Sequence, residues 1–310
     1  MHNRLIRTLI LIFWLVSMSW LASTRIAPKY FAPKQPDRRV IRPGEKNFPK
    51  KDSWIISWKS KTIGNASIEI DIDELGNGTI HSNVEFDQLP IREIGNELFG
   101  SFGMLMKLVP LDRLDKQTEL SVKSVSHFDP FGSLDRIISK VKLQEFGEVI
   151  RLEGRVAEQQ LHVRVFPGGS FASATGSNTK SLFKKSFDLP ADASVTNWLT
   201  PEAQFRNLSV GQKWESQVYR AFPPNSPYRE IESEVIGKDI LPWNGEAVPV
   251  FVVEMRDVTG ALTASRSDTS RMWVDSRGEV LKQELTLGKA TLIFDRVAQQ
   301  EQDNSGIKTE

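Results

Sequence analysis

From Ser53 onward apolar side chains recur at every second position, and a chain patterned this way buries them as strands of a sheet. Trp54, Ile56 and Trp58 alternate with Ser53, Ile55 and Ser57. Ile68, Ile70 and Ile72 alternate with Glu69, Asp71 and Asp73. Leu75-Gly76-Asn77-Gly78 is a turn sequence, after which Ile80, Ser82, Val84 and Phe86 resume the period, so residues 68–86 read as a hairpin. The rhythm returns at Ile137, Ser139, Val141 and Leu143, then at Ile150, Leu152 and Val156, then at Leu161, Val163 and Val165. Segments 214–222, 231–236 and 248–253 read as further strands. The closing segment leads from Met272-Trp273-Val274 through a turn into strands over 280–287 and 290–297. Asp275 at the first turn position and Gly278 at the fourth suit a type I turn with a bulge. No internal repeat stands out.

Two stretches have helical spacing. Ile91, Ile94, Leu98, Phe102 and Leu105 lie between Pro90 and Pro110. Gly95, Gly100 and Gly103 each cost that helix up to about 1 kcal/mol relative to Ala, so packing or a partner must hold it. A second, short helix is expected from Pro201, with Thr200 as its cap, ending before Gly211. More than ten strands with two helical patches predict a mainly β fold. Strands with one apolar and one polar face suit a large curved antiparallel sheet or half-open barrel, with a helix across its mouth.

Residues 8–24, TLILIFWLVSMSWLAST, carry no charge over seventeen positions. That is near the lower limit for crossing a hydrocarbon core of roughly 30 Å. Arg4 and Arg7 precede the run and Arg25 and Lys29 follow it; long basic side chains at both ends lengthen the effective span. Trp14 and Trp20 fit an interfacial preference. The expected topology is a single N-terminal transmembrane helix acting as an uncleaved signal anchor. A cleaved signal peptide and a buried core helix are the alternatives; Trp20 and Leu21 make a poor cleavage site, and the apolar character runs all round the helix.

Orientation carries a conflict. Arg25, Lys29, Lys34, Arg38, Arg39 and Arg42 outnumber the basic residues of the stub, which favours the large domain inside. A basic stub followed by an apolar run is what export machinery recognises, and long domains translocate largely regardless of charge. The expectation is a single-pass protein of the cytoplasmic (inner) membrane with its C-terminal domain periplasmic. Residues 1–7 form the cytoplasmic stub, 8–24 the anchor, 25–52 a Pro-rich basic linker, 53–298 the β-rich extracytoplasmic domain and 299–310 a disordered tail. The linker is read first as a solubilising spacer and second as a contact for anionic head groups.

The chain of 310 residues contains no cysteine. Disulfides, thiolate nucleophiles, Cys-ligated zinc and lipobox-type acylation are thereby excluded, and a bacterial envelope fits better than a eukaryotic secretory route. The formal net charge of +1 gives no electrostatic reason to expect nucleic acid as a partner.

No catalytic constellation emerges. His81, His127 and His162 fall on separate expected strands, and His2 lies in the stub. The run from Asp71 to Gly78 fails as a calcium loop because Leu75 and Ser82 occupy the fifth and twelfth positions. Pro167-Gly168-Gly169-Ser170 lacks the Lys-Ser/Thr of a phosphate loop. Sequons at Asn65, Asn77 and Asn207 are chance matches in a bacterial envelope protein. Asp71, Glu85, Glu254 and Asp275 are carboxylates that an acid–base pair would need, but nothing in the sequence selects two of them. No metal, cofactor-binding or catalytic residue is assigned.

The tryptophans carry more information, because a buried indole needs a partner for its N–H. Core packing is the plain reading of Trp54, Trp58, Trp198, Trp214, Trp243 and Trp273. The sharper one is an apolar pocket from Trp54, Trp58, Leu98, Phe102, Leu105, Trp214 and Trp273.

The ending SRMWVDSRGEVLKQELTL, with Asn207-Leu-Ser-Val-Gly-Gln-Lys-Trp214, resembles hairpins of bacterial envelope β half-barrels. These include the lipoprotein-localisation-factor-like superfamily and related domains of unknown function. The resemblance implies an apolar cavity for acyl chains, without assigning individual residues to it. A similar β domain precedes a transglutaminase-like Cys-His-Asp domain in some bacterial proteins; that activity needs a cysteine. The expected function is a membrane-anchored extracytoplasmic binding module for a lipid or other apolar ligand. The lipid bilayer is its partner through Thr8 to Thr24, and an envelope protein is a further candidate. The alternative is a structural or assembly protein of the envelope, with an envelope-acting enzyme ranked last.

Overall fold

The structure, a computed structural model, describes residues 13–14, 16–18, 20, 50–89, 118–144, 146–169, 181–189, 194–196, 205, 207–220, 228–259, 269–287 and 290–298. The chain divides into two units, residues 1–35 and 36–310. In the first, the described residues are helical, and Phe13, Trp14, Val16, Met18 and Trp20 are exposed. Among the described residues no helix is long and apolar enough to cross a membrane. The rest of the 8–24 span, the linker up to residue 49, the 91–108 helix and the tail lie outside the described residues.

The second unit is built from fifteen strands in one sheet. They are β1 (Lys50–Trp58), β2 (Lys61–Ile72), β3 (Gly78–Leu89), β4 (Thr118–Phe128), β5 (Leu134–Leu143), β6 (Gly147–Ala157), β7 (Gln160–Pro167), β8 (Phe183–Asp188), β9 (Ser194–Thr196), β10 (Lys213–Arg220), β11 (Tyr228–Trp243), β12 (Glu246–Asp257), β13 (Thr269–Val274), β14 (Val280–Leu287) and β15 (Ala290–Arg296). The spatial order runs β8 to β1, then β15 down to β9. Two meanders are thus joined where β1 pairs with β15, from Trp54 opposite Arg296 to Trp58 opposite Leu292. The pairings are antiparallel except β9 with β10.

Connectivity forces the sheet to curl. Laid flat, fifteen strands would separate the outer strands by about 65 Å. Yet β8 ends at Asp188 and β9, at the other edge, starts at Ser194. That length of chain spans at most about 21 Å. The edges must approach each other without joining. The mainly β, open antiparallel sheet expected from the alternation is therefore what forms.

Strand alternation separates two faces. The inner face carries Ile56, Ile68, Val84, Leu152, Val163, Leu292 and Phe294, all at most 3 % exposed. It continues across Leu285, Met272, Val253 and Val235 to Trp214. Polar groups on this face pair with each other: Ser124 with Ser139 at 2.8 Å, and Gln283 donating to Ser270 at 2.9 Å. These serines explain why β4 escapes a reading by apolar period.

The turns are local chemistry. Asn244-Gly245, with φ of 52° and 80°, is a two-residue type I′ turn. Three turns share an Asp-x-x-Gly pattern that the sequence reading did not register as recurrent. Asp73, Asp129 and Asp275 each accept, through Oδ1, the backbone N–H groups two and four residues on. Gly76, Gly132 and Gly278 take the left-handed conformation that the turn requires, at φ 82–88°. The expected helix from Pro201 falls largely outside the described residues. Residues 207–210 are not helical. There Asn207 has φ 60° and the Ser209 backbone N–H donates to Gln212 Oε1 at 3.0 Å.

The hairpin of β11 and β12 reaches over the outer face. A register shift near Gly237 bends it. Beyond the bend Trp243 Nε1 donates to the Arg296 carbonyl at 3.0 Å, although β11 stands four strands from β15. Leu241, Trp243 and Val248 thereby cover Val250, Val252, Trp273 and Leu281 as a separate outer cluster.

Asp275 is 5 % exposed and also binds Arg277 Nε at 3.0 Å. Replacing it by Ala removes two charge-assisted bonds to backbone and should lower unfolding free energy by about 2–3 kcal/mol in urea titration. Asp73→Ala, in the exposed copy of the turn, should cost clearly less.

Candidate functional site

Of the tryptophans expected to line a pocket, the inner face holds three. Trp54 lies in the large cluster and Trp58 packs against it, while Trp214 lies in the neighbouring cluster with Phe205. Trp273 stands on the opposite face, because Met272 and Val274 on either side turn inward. Three consecutive apolar residues leave that parity undetermined in the sequence. Leu98, Phe102 and Leu105 lie outside the described residues.

The indole N–H groups divide by face. On the outer face Trp243 donates to a carbonyl, and Trp273 Nε1 donates to Asp239 Oδ2 at 3.3 Å with Lys282 Nζ 4.7 Å above its ring. On the inner face Trp54 Nε1 and Trp214 Nε1 are buried without a hydrogen-bond partner. Ser233 Oγ is in the same condition, and Ser233 stands directly opposite Trp214 in the β10–β11 register. Trp214 and Ser233 are 7 % and 3 % exposed. An unpaired buried donor costs about 1–3 kcal/mol, so such groups call for an explanation. Phe205, held by its N–H to the Gly278 carbonyl at 2.9 Å, packs against the Trp214 ring at 6.1 Å between centroids. Around them stand Val235, Val253 and Met255. Strand β9 pairs with β10 only at Val218–Arg220, so the Trp214 end of β10 has no β9 neighbour. The site is a half-polar spot in an apolar wall beside the open side of the sheet.

The outer face behind Trp214 carries a groove of about 540 Å³ over β10, β11 and β12. Lys213, Glu215, Glu232, Glu234, Glu254 and Arg256 line it, together with Trp214 and Ser233. Its charges largely satisfy one another: Lys213 pairs with Glu234 at 3.0 Å, and Arg256 and Arg271 both pair with Glu254. The hydrogen bond from Arg256, followed by that from Arg271, outweighs burial and holds the Glu254 carboxyl below its ordinary value. Exposed ladders of this kind contribute little stability.

A third polar cluster joins the first and last strands. Arg296 binds Asp52 and, at 2.7 Å, Glu279; Lys50 binds Glu279 at 3.0 Å. Burial pushes the Glu279 carboxyl up, but Arg296, Lys50 and Arg277 together hold it below its ordinary value.

His81, His127 and His162 stand on outward positions of β3, β4 and β7; His127 contacts Thr79 at 3.3 Å and His162 contacts Ser186 at 2.7 Å. Of the four carboxylates named from sequence, Asp275 serves its turn, Glu254 its ion ladder, and Glu85 pairs with Lys123 at 3.8 Å. Asp71 stands on the outer face of β2. Among the described residues no group of three His, Asp or Glu side chains is placed to hold a metal ion.

No protein-family model matches the chain, and no curated protein matches its sequence. Among solved structures it is similar to a β-barrel-like protein of the domain of unknown function DUF1849 from Brucella abortus, with TM-score 0.48 and 10 % identity over 80 % of this chain and 95 % of that one. It is also similar to the hypothetical lipoprotein YmcC from Escherichia coli, with TM-score 0.29 and 9 % identity over 81 % of this chain and 85 % of that one. At these TM-scores the likeness contributes nothing to the functional reading.

Glu279 gives a pH test. Its folded value lies below the ordinary 4.5, so it contributes stability above that pH and loses it as pH falls through the folded value. Glu279→Gln should lower the urea midpoint at pH 7 and flatten the loss of stability below about pH 4.5.

Proposed function

We propose that the chain is a membrane-tethered extracytoplasmic binding module that holds a lipid-like amphiphile against the inner face of its curled sheet. The observation that carries this reading is the Trp214–Ser233 pair: two buried, unpartnered polar groups side by side in an otherwise apolar wall. An acyl ester or carboxyl group supplies the acceptor that the indole N–H and the hydroxyl lack, and its hydrocarbon chain matches the surrounding Val235, Val253 and Met255. The unpaired N–H of Trp54 offers a second such contact further along the wall. Among the described residues the Trp214 end of β10 has no partner strand beyond it, a route that a closed barrel would deny. The uncharged span at residues 8–24 supports the tether, and the lack of cysteine suits a bacterial envelope.

An enzyme would need a nucleophile or an acid–base pair. The carboxylates of Asp275, Glu254, Glu85 and Glu279 are engaged in a turn, ion pairs and the β1–β15 cluster, which favours binding over chemistry. An assembly protein would use the sheet edges, where Lys184 and Lys185 on β8 discourage pairing with another strand.

Ser233→Ala separates the two roles of the site. Without ligand it removes an unsatisfied buried hydroxyl and should raise stability by about 1 kcal/mol. Binding of a fluorescent fatty acid to the full chain in detergent should weaken about fivefold, the equivalent of one lost hydrogen bond. Trp214→Phe should weaken it similarly. Unchanged binding in both variants, or a wild-type chain that binds no acyl probe and yields no lipid on solvent extraction, sinks the reading.

A further inference from the structure

Two of the most exposed large apolar side chains stand on adjacent turn tips. Leu75, between β2 and β3, is 79 % exposed, and Phe131, between β4 and β5, is 80 % exposed. Both turns are of the Asp-x-x-Gly kind, so neither residue is needed for turn formation: the Asp73 and Asp129 carboxylates and the glycines do that work. In a meander every second turn lies on the same rim, and these two stand side by side because β3 and β4 are neighbours. The turns touch, since a Cβ built on Gly76 would lie 3.4 Å from Pro130 Cβ.

The chain enters the sheet at this same rim. β1 begins at Lys50, which is opposite Ile70 near the end of β2, and the turn carrying Leu75 follows directly. From β1 to β4 is about 15 Å across the sheet. The segment that precedes Lys50 is the basic, Pro-rich stretch leading from the proposed membrane span. The rim is therefore where the proposed tether joins the domain.

We propose that Leu75 and Phe131 form a membrane-contacting edge, inserting side by side into the interfacial layer of the bilayer that carries the chain. Two side chains on convex tips are far too little area for a protein partner, which needs about 800 Å² on each side. A tethered surface is different: its effective concentration is high, so two shallow apolar contacts suffice to set orientation. The carboxylates of Asp73 and Asp129 bend back to the turn N–H groups, and the basic stretch before Lys50 adds attraction to anionic head groups. Docked in this way, the domain holds this rim against the source of an amphiphilic ligand. The proposal rests on the tethered reading above but not on ligand binding.

The chain has no cysteine, which makes single-cysteine labelling clean. Leu75→Cys, Phe131→Cys and, at the opposite rim, Lys61→Cys are each labelled with an environment-sensitive nitrobenzoxadiazole dye. The full-length variants are reconstituted into phosphatidylcholine vesicles containing a minority of phosphatidylglycerol and quenched with doxyl-labelled lipid. Strong quenching and a blue shift at positions 75 and 131, with neither at 61, are expected. Equal, weak quenching at all three positions in chains that float with the vesicles overturns the membrane edge while leaving the tether intact. Chains that do not float overturn both. A blue shift at 75 and 131 without quenching by lipid assigns the edge to a protein surface and overturns the proposal.

Discussion

The pairing of β1 with β15 is the interaction on which the rest of the sheet depends. Every other neighbouring pair in the sheet joins strands that follow one another in sequence. The β1–β15 seam instead brings together residues such as Asp52 and Arg296, 244 positions apart. Loop closure on that scale is slow and costly. The seam is accordingly reinforced: Arg296 is nearly buried between Asp52 and Glu279, and Val297 N–H bonds the Ser53 carbonyl at 2.8 Å. Without it, two meanders would each expose an edge strand and half of an apolar wall.

Once the seam is made, curvature follows from covalent reach, because the link from Asp188 to Ser194 cannot span a flat sheet. Curvature then creates the difference between the faces. Inner positions of neighbouring strands crowd together and exclude water, so Val, Ile and Leu dominate there and serines pair with serines. Outer positions spread apart, and charges arrange themselves as cross-strand ladders. The outer apolar cluster breaks this rule, and the bent β11–β12 hairpin is what allows it, by laying Trp243 and Leu241 over the surface.

Against this background the unpartnered indoles are informative. The fold finds acceptors for Trp243 and Trp273 in a main-chain carbonyl and a carboxylate. It finds none for Trp54 and Trp214, although hydroxyls elsewhere on the same wall are satisfied in pairs. A core shaped only for stability would place Phe at these positions, and Ala or Val in place of Ser233. That contrast separates a candidate binding wall from plain packing, and no count of apolar residues would have revealed it.

The sequence by itself determined most of the strands, several of the turns and the β character of the chain. Period-two alternation and the Asp-x-x-Gly turn are local properties, written in residues a few positions apart. It read the 68–86 hairpin and the 275–278 turn correctly, and it marked the tryptophans as a set whose N–H groups need partners. It lost β4, whose inward positions include Ser124, and the short strands β8 and β9, and it could not assign a face to Trp273 within an apolar triplet. Which strands are neighbours, which face closes on itself and which polar groups end without a partner were decided only by the tertiary structure. These depend on contacts between residues hundreds of positions apart, and local pattern carries no information about distance of that kind.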